Sequence, residues 1–151
     1  MQSYLLDNRL TAEKQMKEIL VVDDDKELLA LFKRILNRNG IEAHCVESGE
    51  AALEQIKERT FSLMITDFNM PGLDGLELSR KGMAIAPLMP IIMNTGGISA
   101  KIIREAKEIG IAKVLAKPFL AEELLETIRN VMGKQSLLFS AVRNLESGNC
   151  L

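Results

Sequence analysis

No run of eighteen apolar residues occurs anywhere in these 151 residues, so no segment has the length of a membrane-crossing helix. The N-terminal stretch from Met1 to Lys17 is polar and charged and lacks the apolar core of a secretory signal. Cysteine is scarce: Cys45 lies inside a strand-like run and Cys150 beside the C-terminus, a spacing that offers no disulfide framework. The one histidine, His44, stands in an edge-like strand with no four-helix context, which argues for a structural or exposed side chain and against a phosphohistidine. Basic charge is not concentrated either. With 19 Lys and Arg against 21 Asp and Glu the formal charge is -2, and no basic stripe exists to follow a phosphate backbone. These absences point to a soluble cytoplasmic chain with no membrane or direct nucleic-acid partner.

What is present suffices for one full core, since 47% of the residues are apolar. Ile19–Val22, Leu63–Thr66, Ile91–Met93 and Val114–Ala116 are short continuous apolar runs, the pattern of strands covered on both faces. Glu42–Val46 is more polar and predicts an edge strand. Helical patterns lie between. Leu28, Phe32, Ile35 and Leu36 share a face that stops at Gly40; Ser48 can cap a helix carrying Ala52, Leu53 and Ile56. Leu76 to Ile85 predicts a short third helix, ended before Pro87. Ser99 can cap a fourth carrying Ile102, Ile103, Ala106 and Ile109, closed by Gly110. Leu124, Leu125, Ile128, Val131 and Met132 line a fifth, with Gly133 beyond its end. Five strands alternating with five helices predict an α/β fold, a doubly wound five-stranded parallel sheet with helices on both faces.

In such sheets the working groups gather outside the carboxyl ends of the strands. Asp23 and Asp24 follow the first strand, Asp67 the third, Thr95 the fourth and Lys117 the fifth. Taken singly, each has a plain reading: Asp23 to Asp25 as the start of a helix, Thr95 as a strand-end residue, Lys117 as a solvated charge. Four strand ends aimed at one crevice are harder to explain that way. Asp25 is expected to cap the first helix, and Asp74 to serve as turn chemistry before Gly75.

Three carboxylates in one place need counter-charge, because unit charges about 4 Å apart repel by roughly 4 kcal/mol at an effective dielectric near 20. Lys117 supplies one positive charge, and a divalent cation such as Mg²⁺ would supply the rest, taking one or two carboxylates. The remaining carboxylate, Asp67, can act as a nucleophile without a general base. Phosphorus is a fitting target, with Thr95 and Lys117 placed to meet phosphoryl oxygens.

Ile19-Leu-Val-Val-Asp-Asp24, Thr66-Asp-Phe-Asn-Met-Pro-Gly-Leu-Asp-Gly75, Pro90-Ile-Ile-Met-Asn-Thr-Gly96 and Ala116-Lys-Pro-Phe119 resemble the four signature blocks of response-regulator receiver domains. The resemblance runs from about Lys17 to Met132. It implies the flavodoxin-like strand order 2-1-3-4-5, Asp67 as phosphoacceptor, and a Mg²⁺ (or Mn²⁺) site of Asp23, Asp24, Asp67 and the backbone carbonyl of Asn69. It further implies that Thr95 and Lys117 contact the phosphoryl group and that Lys117-Pro118 is cis. The phosphoryl donor would be the phosphohistidine of a histidine kinase or of a histidine phosphotransfer protein. Such a domain is not an enzyme on other substrates, although it promotes its own phosphorylation and dephosphorylation.

Relatives often carry a Tyr or Phe three residues before the Lys, where this chain has Val114. The switch is then expected to rest on Thr95 and backbone shifts, with Gly96 and Gly97 keeping the loop mobile and open. A rival resemblance is to aspartyl-phosphate hydrolases of the haloacid-dehalogenase group, with Asp23 as nucleophile and Asp25 as acid/base. It leaves the Asp67 block without a role and lacks an acidic pair after the Lys. The division expected is an N-terminal extension over 1–17, a receiver domain over 18–133 and a C-terminal tail over 134–151. The extension has a short helical pattern after Thr11; Leu138, Val142 and Leu145 in the tail have helical spacing that suits further packing or a dimer contact, including one formed on phosphorylation. Neither flank has the length of an output domain, which suits a stand-alone regulator or the receiver portion of a hybrid histidine kinase or larger regulator.

Overall fold

The computed structural model describes residues 18–146, with side chains as far as Lys134. Five strands, β1 (Glu18–Val22), β2 (Glu42–Val46), β3 (Leu63–Asp67), β4 (Ile91–Thr95) and β5 (Lys113–Ala116), alternate with five helices. These are α1 (Lys26–Arg38), α2 (Gly49–Glu58), α3 (Gly75–Ile85), α4 (Ala100–Ile109) and α5 (Ala121–Glu146). All strand pairs are parallel and the order is β2-β1-β3-β4-β5, which places the more polar Glu42–Val46 at one edge, as its composition predicts.

Helix starts follow the side chains that satisfy their first N–H groups. Asp25 accepts from the N–H of Glu27 and Leu28, Ser48 from Ala51, Asp74 from Glu77 and Ser99 from Ile102. Gly110 closes α4 in the left-handed conformation at φ 97°, which a residue without Cβ adopts cheaply.

Alternation along the strands divides the core in two. Leu20, Val22, Met64, Ile91 and Met93 pack with Ala52, Ile56, Leu76, Leu78 and Ala106 of α2, α3 and α4. Ile19, Val21, Leu63, Ile65, Ile92 and Leu115 pack on the other face with Leu29, Phe32, Leu36, Leu124, Ile128 and Val131 of α1 and α5. The same two-residue period carries Asp23, Asp67, Asn94 and Lys117 onto the α1/α5 side, one after another across the sheet.

Two expectations are corrected. Ile103 is exposed, because α4 sits on the sheet through a narrow line in which Ala106 is its one fully buried residue. Helix α5 does not stop at Gly133 but continues to Glu146. An interior Gly costs a helix about 1 kcal/mol, too little to end one that Lys134 and Gln135 continue. The helical pattern after Thr11 lies outside the described residues, as do the side chains of Leu138, Val142 and Leu145.

Candidate functional site

The carboxyl ends of β1, β3 and β5 converge. Asp23 is almost fully buried at 1% exposure; its Oδ1 accepts the Asp25 N–H at 2.9 Å and its Oδ2 accepts from Lys117 Nζ at 3.2 Å. The same ammonium stands 3.1 Å from Asp67 Oδ1. Asp24 is exposed, yet one oxygen from each of Asp23, Asp24 and Asp67 lies within 4.8 Å of the others. Three hard carboxylate donors in that space suit a divalent cation of the Mg²⁺ class, which favours oxygen ligands.

Each charge is held by a defined piece of backbone. The strand pairing extends past β1 through Asp23 N–H to Val46 carbonyl, and past β5 through Lys117 N–H to Thr95 carbonyl at 2.8 Å. The Lys117-Pro118 bond is cis, as the resemblance implies. After Asp67 the chain turns through Phe68–Asp74, pinned by Phe68 N–H to Asn94 carbonyl, Gly75 N–H to Phe68 carbonyl, and Leu73 N–H to Glu50 Oε1. Gly72 takes the left-handed conformation within that turn, at φ 76°. Asn69 is exposed within it.

Burial is the largest influence on Asp23 and raises its carboxyl above the usual 3.8, despite the Asp25 N–H and Lys117 acting the other way. Burial works against the Lys117 ammonium, but Asp67 and Asp23 outweigh it and hold its pKa above 10.5. The pair of buried carboxylates thus shares one firmly held proton carrier.

Thr95 is buried at the end of β4, and its hydroxyl oxygen accepts the Gly97 N–H at 3.2 Å. Gly96 and Gly97 are exposed with no atom within 4 Å of where a Cβ would stand, so the loop leaves this side open. Val114 is half-buried, pairs with Met93 across the β4–β5 ladder and packs against the α2/α3/α4 side of the core. His44 is a packing residue, its ring 5.9 Å from that of Phe61. The Cys45 thiol, half-buried, donates to the Leu29 carbonyl at 3.8 Å; Cys150 lies outside the described residues.

Two residues named in the sequence blocks had no role assigned to them from sequence. Gly75 lies so close under the Asp67 carbonyl that no other residue fits there. Asn94, 1% exposed, adjoins Asp67 in the β3–β4 register, and among the described residues neither atom of its amide has a hydrogen-bond partner. The available signal was an amide in an otherwise apolar strand, directly before Thr95.

Comparison with known proteins agrees with this architecture. The family model of the response regulator receiver domain matches residues 19–129. The response regulator receiver protein CpdR of Brucella abortus is 32% identical over 117 residues, covering 78% of this chain and 98% of CpdR. The response regulator protein FleR of Pseudomonas aeruginosa is 36% identical over 118 residues, covering 78% of this chain but 25% of FleR. A CheY-like response regulator receiver domain protein from Methanospirillum hungatei superposes with a TM-score of 0.77 at 32% identity, over 80% of this chain and 96% of that one.

The haloacid-dehalogenase alternative finds no support. The matching family model is that of the receiver domain, and the Asp25 carboxylate that would serve as acid/base caps α1. With the five-stranded order, the acidic cluster and the family match over 111 of its residues (19 to 129), the chain belongs to the response regulator receiver domain family, a family of signalling domains.

Proposed function

We propose that Asp67 accepts a phosphoryl group from the phosphohistidine of a histidine kinase or histidine phosphotransfer protein, in the cytoplasm and with Mg²⁺ or Mn²⁺ present. The observation that carries this is the Lys117 ammonium held between Asp67 and Asp23 beside a three-carboxylate cluster. In the transfer, an Asp67 oxygen attacks phosphorus as the donor N–P bond breaks; the electron pair returns to the imidazole nitrogen. Lys117 follows the charge from the carboxylate to the phosphoryl oxygens, and the Thr95 hydroxyl donates to one of them. Asp23, Asp24, Asp67 and the Asn69 carbonyl would hold the cation, which supplies further neutralisation of phosphoryl oxygens. Removal of the group is a separate step, attack of water on phosphorus with Asp67 leaving as carboxylate and inorganic phosphate and a proton released to solvent, and it uses the same groups. The domain therefore promotes its own phosphorylation and dephosphorylation.

The readout passes through Thr95 and the face of α4, β5 and α5, where Ile98, Ile103 and Leu120 are exposed and suit a downstream partner or a phosphorylation-dependent homodimer. We take residues 18–133 as the receiver unit, with 1–17 as a flanking extension and 134–151, into which α5 continues as far as Glu146, as the tail; a stand-alone regulator and part of a hybrid histidine kinase or larger regulator both accommodate it. Incubation with acetyl phosphate and Mg²⁺ should add one phosphoryl mass to the chain and none to Asp67→Asn. An unmodified parent chain, or an adduct that survives Asp67→Asn, refutes the assignment; sizing the product tests the dimer.

A further inference from the structure

An unpaired amide inside a packed sheet is unusual, because buried polar groups nearly always find partners. Asn94 is such a group, and its surroundings are not random. The β3–β4 register sets it opposite Asp67, and neighbouring strands lie about 4.8 Å apart. On its other side the register sets it opposite Leu115, two residues before Lys117 and on the same face. Lys117 stands at the end of β5 and its ammonium lies against Asp67 and Asp23 on β3 and β1, so its side chain reaches across β4, the strand that carries Asn94. Asn94 thus sits on the strand that the ammonium reaches across, next in register to the carboxylate.

In the structure described, Lys117 is occupied by the two carboxylates and Asn94 by neither. That allocation cannot persist once Asp67 carries a phosphoryl group and Asp23 turns to a cation. We propose that Asn94 is a positioning residue for the phosphorylated state: its Oδ1 accepts from the displaced Lys117 ammonium, and its Nδ2 donates to the Asp67 oxygen that remains a carbonyl. This rests on Asp67 being the acceptor. The physical consequence is a differential one. A hydrogen-bonding group orphaned in one state and satisfied in the other shifts the equilibrium toward the second, whatever it costs the first.

Beryllofluoride with saturating Mg²⁺ is the probe, since it mimics the phosphoryl group without turnover. Asn94→Val and Asn94→Thr have nearly the same shape and differ in one hydroxyl. Asn94→Val is expected to bind beryllofluoride about tenfold more weakly than the parent, a difference of about 1.4 kcal/mol, with a thermal midpoint in the free state no lower than the parent's. Asn94→Thr should recover part of the lost affinity, which a merely structural role for the site would not require. Parent-level binding by Asn94→Val, or equal loss in both variants, overturns the proposal. If neither variant folds, the parent decides alone: the Asn94 side-chain amide resonances should move on beryllofluoride binding to the values of a bonded amide, and unmoved resonances overturn the proposal. Failure of the Asp67 assignment looks different, as the parent would then bind no beryllofluoride or Asp67→Asn would bind it equally well.

Discussion

Gly75 passes beneath Asp67 so closely that a Cβ on it would stand 2.2 Å from the Asp67 carbonyl oxygen. The first residue of α3 thereby presses against the backbone of the phosphoacceptor candidate, and its N–H to Phe68 carbonyl bond closes the loop between them. A methyl group cannot be placed there by rotating a side chain, since the obstacle is main chain. Gly75→Ala should destabilise the domain by about 3 kcal/mol or more, at the upper end of overpacking costs. Urea unfolding of parent and variant checks this; a loss below about 1 kcal/mol would mean that the turn yields freely.

Lys117 neutralises two carboxylates that are both largely buried, so its removal should be felt in the metal-free chain first. Lys117→Met leaves Asp23 and Asp67 facing one another without counter-charge and is expected to cost about 1–3 kcal/mol, below the usual cost of breaking a fully buried pair because the ammonium is partly in contact with solvent. Mg²⁺ should restore more stability to Lys117→Met than to the parent, while phosphorylation by acetyl phosphate is lost. Thermal unfolding with and without Mg²⁺ separates these effects, and equal Mg²⁺ shifts in both proteins would contradict the account.

Two pH windows follow from the same contacts. Asp23 has its carboxyl raised above 3.8, so the folded state holds that proton more tightly than the unfolded chain does. Metal-free stability should fall as pH rises from 3.8 through the raised value, because ionised Asp23 is costly where it is buried. Lys117 has the opposite charge type and is raised above 10.5, so its contribution is fully present below 10.5 and is lost as pH climbs through the folded value. Mg²⁺ reverses the acid window, since the cation requires the ionised carboxylate; at a concentration 100 times its Kd it adds about 2.7 kcal/mol above the window and less below it. Asp23→Asn should flatten the acid window in both conditions. Denaturation midpoints across the pH range, taken with and without Mg²⁺, read all three slopes.

How much of this was legible in advance depends on whether a feature is local. Asp25, Ser48 and Ser99 announced their helices because a cap acts within three residues. Asp23, Asp67, Thr95 and Lys117 stood out because each ends an apolar run, and strand ends share one edge of a parallel sheet. Ile103 misled because a helical stripe is wider than the line along which α4 meets the sheet. Gly75 and Asn94 depend on what lies across a turn or a neighbouring strand, so their roles required register and distance.

Val114 bears on how phosphorylation is read. Its β-branched side chain has one strongly restricted torsion and packs against the α2/α3/α4 side of the core beside Met93, so it offers no pair of inward and outward positions. A ring at this position would have two, separated by a barrier, and would convert a small movement of Thr95 into a discrete change at the exposed edge near Ile98, Ile103 and Leu120. Without it, the response to Mg²⁺ and beryllofluoride should be graded, with backbone amide shifts over residues 98–120 that diminish steadily away from Thr95. Val114→Tyr should instead give larger shifts that change together across that face, provided its free-state thermal midpoint stays within a few degrees of the parent's. Shift changes of equal size and pattern in the two proteins would remove position 114 from the switch and leave the Thr95–Gly97 loop as its sole moving part.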